Sequence, residues 1–137
     1  MKLLRLLWVL LIVPITAHAD NLDKDLVQKI LNATVRVVSY ENETEGTGVG
    51  AGVLVSESGL ILTNYHVIHG ANKIKVYLWK DRSRTPHIAT VLGTDPLADL
   101  ALLDIDPWSN ETFHSVDLED TITNIYAGTE VIAVGHP

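Results

Sequence analysis

The chain has 137 residues with 17 acidic and 10 basic side chains, which gives it a formal net charge of −7 at pH 7. An acidic chain without a basic stripe does not have the composition of a nucleic-acid-binding protein. It contains no cysteine, so disulfides are excluded and a hydrophobic core has to hold the fold together.

Residues 1–19 have the pattern of a secretory signal peptide. Lys2 and Arg5 form a basic head, and an apolar run follows. Ala17-His-Ala19 then gives the small-x-small pattern that predicts cleavage before Asp20. A membrane anchor is the alternative, but the run is interrupted by a proline and is shorter than the roughly 20 residues of a spanning helix. We therefore expect export to the periplasm or the cell exterior, without a stable membrane anchor.

Removing those 19 residues from 137 leaves 118, and losing their two basic side chains changes the net charge from −7 to −9. This length suits one compact domain, residues 20–137. Over Asp20–Leu31, leucine and isoleucine recur at helical spacing, and Asp20 or Asn21 can cap this short helix. The period changes to two in Thr34–Tyr40, which predicts a strand.

Glycine occupies every second position from Gly46 to Gly52. A phosphate-binding loop would need a Lys-Ser/Thr pair and a helix after these glycines, and neither follows them. We therefore expect a β-bulge or a tight barrel corner here. Val53–Ser56 and Leu60–Thr63 flank a short turn and are predicted to pair as a hairpin.

Further strands are predicted where apolar and polar residues alternate or apolar residues cluster, at Lys73–Trp79, His87–Leu92, Leu100–Ile105 and Thr129–Val134. The polar stretch Pro107–Asn124 is typical of a surface loop. About seven short strands, one leading helix and no βαβ rhythm together predict an all-β barrel or sandwich.

A histidine and an aspartate stand beside two of these strands. His66 follows the strand that ends at Thr63, and Asp99 directly precedes Leu100. Both are therefore placed where loops present side chains from a rigid scaffold. A serine protease needs a histidine base near its nucleophile and a carboxylate on the far nitrogen of that histidine. His66 and Asp99 therefore match the histidine and the aspartate of such a triad in residue type and in chain order.

Three segments resemble the HtrA/Deg family of trypsin-like serine proteases. Residues 50–68 (GAGVLVSESGLILTNYHVI) look like the segment around that family's catalytic histidine, and residues 93–103 (GTDPLADLALL) resemble its catalytic-aspartate segment. Residues 131–137 (VIAVGHP) are similar to the strand that ends in Gly-Asn-Pro, with His136 in place of the asparagine. The resemblance covers about residues 35–137.

The resemblance implies that the chain holds the first of the two chymotrypsin-like β-barrels of such a protease. It implies His66 as the general base and Asp99 as the carboxylate that orients it. The family's second barrel, with its Gly-x-Ser-Gly-Gly nucleophile loop, oxyanion hole and specificity pocket, lies outside this sequence, as does a PDZ domain. Among the serines present, only Ser58 precedes a glycine, and it belongs to the predicted hairpin turn.

The implied function is that of a serine endopeptidase in protein quality control of the cell envelope, with polypeptides, including misfolded ones, as substrates. Acyl transfer through a serine ester needs no cofactor, and family members are often trimers. We expect the 137-residue chain alone to be inactive, because it offers no nucleophile and no oxyanion donors. Two interpretations stay open. One is the N-terminal portion of a longer protease; the other is a natural half that binds proteins without cleaving them or is complemented by a separate serine-bearing chain.

The neighbouring polar residues are better explained by other roles than by the triad or a metal site. Asp95 stands before Pro96 and is better explained as a turn or capping residue than as the triad carboxylate. His66 and His69 form a His-x-x-His pair, but zinc usually takes three or four ligands at settled spacing, and the sequence offers no such set. We therefore expect neither a metal nor another cofactor.

Overall fold

Six antiparallel strands close into one β-barrel in the computed structural model, which describes residues 23–42, 46–81, 85–108, 112–118, 126–129 and 131–136. The strands are β1 (Thr34–Tyr40), β2 (Gly46–Leu54), β3 (Leu60–Thr63), β4 (Lys73–Leu78), β5 (His87–Asp95) and β6 (Leu100–Ile105). In the closed order β1-β2-β3-β6-β5-β4, each strand pairs with a neighbour on both sides. The prediction of an all-β barrel is confirmed, and the sandwich alternative is wrong. The predicted signal peptide, residues 1–19, lies outside the described residues.

The leading helix, α1, spans Lys24–Ala33 rather than the predicted range 20–31. Asp23 caps it, because its carboxylate accepts a hydrogen bond of 2.9 Å from the backbone N–H two residues on. The two predicted caps, Asp20 and Asn21, lie outside the described residues. A short helix was therefore predicted correctly in this part of the chain. It begins and ends later than predicted, since Asp23 is its N-cap.

The interior of the barrel is filled by every second residue of the strands, as their alternation predicts. Val35 and Val37 of β1 are buried, and so are Ile74, Val76 and Leu78 of β4. The same core includes residues from β2, β3, β6 and the following loop: Leu54, Ile61, Ala101, Leu103, Ile105 and Phe113. Burying each of the larger side chains contributes roughly 1.5–3 kcal/mol. This core accounts for a stable barrel in a chain without disulfides.

The glycine-rich segment forms the first part of β2. Opposite Ser39 and Tyr40, the register of the β1–β2 ladder shifts so that one residue of β2 is left over between Gly46 and Gly48. Such an extra residue is a β-bulge, as predicted. The predicted hairpin is present as well, because β2 and β3 pair antiparallel across a short turn.

The prediction of a seventh strand at Thr129–Val134 is wrong. Residues 131–136 carry no strand in the structure, although they run close to β2, where a Cβ atom on Gly135 would lie 3.5 Å from that of Ala51. The physical reason is that the barrel closes without this segment: the six strands already form a complete ring, which has no gap for a seventh strand.

Short helical segments connect some of the strands. The one-turn helix α2 (Tyr65–Ile68) lies between β3 and β4, and a 3-10 turn (Trp79–Asp81) follows β4. In the predicted loop after Ile105, the described residues 106–108 and 112–118 have no regular secondary structure, as expected. The α-helices among the described residues are too short to cross a bilayer.

Candidate active site

The position of α2 depends on two glycines of the neighbouring strand. A Cβ atom at Gly48 would lie 2.6 Å from the carbonyl oxygen of Val67, and one at Gly50 would lie 2.5 Å from a methyl carbon of the same valine. Only a residue without a side chain lets α2 approach β2 this closely. Val67 and Ile68 are buried against the barrel. His66 lies on the opposite side of the turn, where 71% of its side chain is exposed.

Asp99 sits in the turn that leads into β6. Its φ of 54° lies in the left-handed region, which aspartate tolerates better than most residues. The turn is stabilised by Asp95, whose carboxylate accepts hydrogen bonds from the backbone N–H groups of Leu97 (3.0 Å) and Ala98 (3.1 Å). The prediction that Asp95 is a turn residue is therefore confirmed.

Asp99 caps α2 from a distant part of the chain. Its Oδ1 accepts a hydrogen bond of 2.9 Å from the backbone N–H of His66, and its carbonyl oxygen accepts one of 3.2 Å from the N–H of Tyr65. These N–H groups belong to the first turn of the helix, where they have no partner within the helix itself. Asn64, at the N-cap position, makes no capping bond; its amide donates instead to the carbonyl and carboxylate of Asp99 at 3.1 and 3.2 Å.

The second oxygen of the same carboxylate contacts the imidazole. Asp99 Oδ2 lies 2.7 Å from His66 Nδ1, a distance typical of a charge-assisted hydrogen bond. The hydrogen bond from the His66 backbone N–H, followed by the one from its side chain, holds the pKa of Asp99 below its usual range. Because an ionised carboxylate can only accept, Nδ1 carries the proton and Nε2 of the neutral ring is left as an acceptor.

The structure thus brings together both residues that the sequence singled out. Another candidate, His69, has a different partner: its Nδ1 lies 2.6 Å from the hydroxyl oxygen of Tyr65. Within the described ranges, no three metal-ligating side chains cluster together. Sequence reasoning missed Asn64. An asparagine before a helical turn indicates a cap, but nothing local shows that its amide reaches a residue 35 positions away.

None of the described serines is hydrogen-bonded to His66. Ser39 is buried inside the barrel wall. Ser56 and Ser58 lie in the β2–β3 turn, where their hydroxyl oxygens are 2.7 Å from each other. The described residues therefore provide a base and its orienting carboxylate, without a hydroxyl in contact with Nε2.

An open groove of about 470 Å³ lies beside the pair. Asn64 lines it, together with apolar side chains of β3, β6 and the last described segment, among them Leu62, Leu100, Ile132 and Val134. Leu100 is 46% exposed and Ile132 is 55% exposed. The barrel therefore presents an apolar surface directly next to the residues that hold Asp99.

Comparison with known proteins finds a family profile and relatives that agree with one another. Residues 50–137 match the profile of the family described as trypsin-like peptidase domain. The chain is 32% identical over 131 residues to the probable periplasmic serine endoprotease DegP-like of Rickettsia prowazekii, a match that covers 87% of this chain and 24% of that protein. It is 32% identical over 139 residues to the serine protease Do-like HtrB of Bacillus subtilis, covering 90% and 29%. The chain spans about a quarter of the length of these relatives.

A solved structure agrees with the sequence relatives. The crystal structure of the serine endoprotease from Yersinia pestis superimposes with a TM-score of 0.57 and 32% sequence identity, over 68% of this chain and 31% of that one. The six-stranded barrel is therefore a chymotrypsin-like barrel of the kind that the sequence predicted. Family profile, relatives and structure point the same way, and the chain belongs to the HtrA/DegP-type trypsin-like serine proteases.

Proposed function

We propose that this protein is a serine endopeptidase in which His66 is the general base and Asp99 its orienting carboxylate. One observation carries the proposal: a single carboxylate holds both the backbone N–H of His66, at 2.9 Å, and its ring Nδ1, at 2.7 Å. The imidazole is thereby fixed in rotation and in tautomer, and Nε2 faces away from Asp99 as the basic nitrogen. This is the arrangement that activates a nucleophilic hydroxyl in a Ser-His-Asp triad.

The chemistry follows from that tautomer. Nε2 of His66 takes the proton of a serine hydroxyl as its oxygen attacks the scissile carbonyl, and the imidazolium that forms is stabilised by the charge of Asp99. The imidazolium then gives its proton to the leaving amine, and the acyl-serine ester is hydrolysed by water activated by the same base. Since no described serine contacts Nε2, the nucleophile and the oxyanion donors come from outside the described residues, and the described barrel alone is inactive.

The wider setting is part of the same proposal. Residues 1–19 act as a signal peptide, and residues 20–137 form the N-terminal barrel of a peptidase domain exported to the periplasm or the cell exterior. The relative from Rickettsia prowazekii is named a periplasmic endoprotease, which supports this location. Substrates are polypeptides, including misfolded ones in the envelope, and the complete protein assembles as a homo-oligomer such as a trimer. No cofactor takes part.

A serine-directed fluorophosphonate probe tests the role of His66 in the protein purified from its native host. Wild-type protein should be labelled, and His66→Ala should abolish labelling. His69→Ala is a matched control, because it removes an exposed histidine one turn away that is hydrogen-bonded to Tyr65 and not to Asp99. Asp99→Asn should slow labelling by up to roughly 10⁴-fold, the size of effect seen when a triad aspartate is lost. Labelling of His66→Ala at the wild-type rate would remove this residue from the base role.

A binding function without cleavage is the second candidate. The observation that favours it is the apolar groove of about 470 Å³ beside the pair, with side chains that are about half exposed. Exposed apolar patches of this kind mark surfaces for protein contacts. The labelling experiment separates the two functions: a correctly folded wild-type protein that takes up no probe, but binds unfolded polypeptides, supports the binding module.

A further inference from the structure

The outer surface of β1 and β4 carries an unusual concentration of positive charge. Because strands alternate, the residues between the buried valines and isoleucines of these strands point out of the barrel. They form a patch that we name the cationic face, made of Arg36, Tyr40, Lys73, Lys75 and Tyr77. Three of the ten lysines and arginines of this acidic chain lie on it.

Contacts within the cationic face hold its side chains in a defined arrangement. The guanidinium carbon of Arg36 lies 5.6 Å from the ring centroid of Tyr77, and Lys75 Nζ lies 4.5 Å from that of Tyr40. Both distances are within the range of cation–π attraction. Burial, followed by the influence of the neighbouring Tyr40 side chain, raises the pKa of Tyr77. Two of the cations are therefore ordered over the tyrosine rings.

The positive charges of this face are not neutralised by the described carboxylates. The contact between His66 and Asp99 is the one pairing of a basic and an acidic side chain within 4.0 Å found among the described residues, and neither partner belongs to the cationic face. Lys73 is exposed, whereas Arg36 and Lys75 are half-buried with their stems on the sheet. In the chain, the face is bordered by three glutamates that follow Tyr40, at positions 41, 43 and 45.

We propose that the cationic face binds acidic segments of polypeptides in an extended conformation. Lys73 and Lys75 are two positions apart on one strand, which places their Cα atoms roughly 6.6–6.8 Å apart. Alternate residues of an extended peptide have the same spacing, so two of its carboxylates can meet both lysines at once. Arg36, on the adjacent strand, adds a donor that can hold a third carboxylate through two hydrogen bonds.

The neighbours of the cationic face favour a peptide over a lipid surface. Val49 of β2 and Ile88 of β5 flank it and are 51% and 55% exposed, so they offer apolar contacts to the side chains between the carboxylates. Membrane-surface proteins usually insert free aromatic side chains at the interface. Here both tyrosine rings are covered by cations instead.

The cationic face reaches the end of the barrel that carries the catalytic pair. The carbonyl oxygen of Tyr40 accepts a hydrogen bond of 2.8 Å from the N–H of Asn72, in the loop that follows α2. A segment bound along the face is thus led towards that end of the barrel. The binding proposal does not depend on hydrolysis, because affinity is measured without cleavage.

The test is fluorescence anisotropy with three labelled twelve-residue peptides that alternate threonine with glutamate, glutamine or lysine. The glutamate peptide should bind wild-type protein, bind more weakly as salt is raised, and bind about tenfold more weakly to the double variant Lys73→Glu/Lys75→Glu. Lys24→Glu/Lys29→Glu, on α1, changes the net charge by the same amount and should keep the wild-type affinity. Circular dichroism checks that both variants are folded, and Lys73→Gln/Lys75→Gln replaces the first if it is not.

Three outcomes would overturn the proposal. One is the absence of binding to the glutamate peptide at low salt, and another is an equal loss of affinity in both double variants. The third is binding to anionic phosphatidylglycerol vesicles without binding to the peptide, which would assign the face to lipid headgroups. A protein that fails the fluorophosphonate test but binds the peptide would retain this proposal and lose the proteolytic one.

Discussion

Replacing Gly48 by alanine should displace α2 and lower the stability of the barrel. The added Cβ atom would lie 2.6 Å from the Val67 carbonyl oxygen and 2.6 Å from Ser39 Oγ, where ordinary contacts begin at about 3.4 Å. Relief of the clash therefore requires a shift of about 0.8 Å, and one of the two equally close obstacles is the backbone of α2 itself. Overpacking of this kind costs about 1–3 kcal/mol. Because α2 carries His66, its displacement should also lengthen the hydrogen bond to Asp99.

Two measurements check this expectation. Since 1 kcal/mol changes the Tm of a domain of about 100 residues by roughly 4–8 °C, thermal unfolding should show a decrease of at least about 4 °C. The proton between His66 Nδ1 and Asp99 Oδ2, which are 2.7 Å apart, should resonate strongly downfield in the wild type, and this resonance should weaken or move upfield in the variant. Gly93→Ala is the matched control, because a Cβ atom at Gly93 meets nothing within 4 Å. A Gly48→Ala protein with wild-type Tm and an unchanged resonance would show that Gly48 does not set the position of α2.

Two further predictions concern the carboxylate and the core. The pKa of Asp99 is lowered in the folded state, so the unfolded chain binds more protons than the folded protein in the acid range. The stabilisation that ionised Asp99 provides is therefore present above about pH 4, near the ordinary aspartate pKa, and is lost as the pH falls further. Urea unfolding between pH 5 and pH 2.5 should therefore show a steeper acid loss for wild type than for Asp99→Asn, and parallel curves would contradict this origin. Leu103→Ala should lower the free energy of unfolding by about 2–5 kcal/mol, because Leu103 is fully buried. Leu100→Ala, at a side chain that is 46% exposed, should change it by less than about 1 kcal/mol, and equal effects would show that the core is assigned wrongly.

Much of the barrel could be predicted from local patterns. Alternation identified β1 and β4 with the correct inward faces, and the bounds of β1 and β6 were predicted to the residue. These strands are recognisable because burial on one face imposes a period of two on the sequence itself. The helix α2 was not predicted, because a single turn is too short to show a period. Its place is set by Gly48 and Gly50, whose spacing alone indicated only a bulge or corner.

The seventh strand shows the limit of such patterns. Residues 129–134 have the composition of a strand, but a strand also needs a partner to pair with, and the ring of six strands closes without this segment. Whether a segment finds a strand to pair with depends on the assembled sheet and cannot be predicted from the segment's own sequence.

From its sequence alone, this protein is an all-β domain with a histidine and an aspartate next to strand ends, in segments that resemble the HtrA/Deg proteases. The tertiary structure adds that one carboxylate both caps α2 and holds the ring of His66, while the amide of Asn64 donates a hydrogen bond to it. The reason is that these bonds join groups 33 to 35 residues apart, and barrel closure, through the pairing of β3 with β6, is what brings them within hydrogen-bond distance.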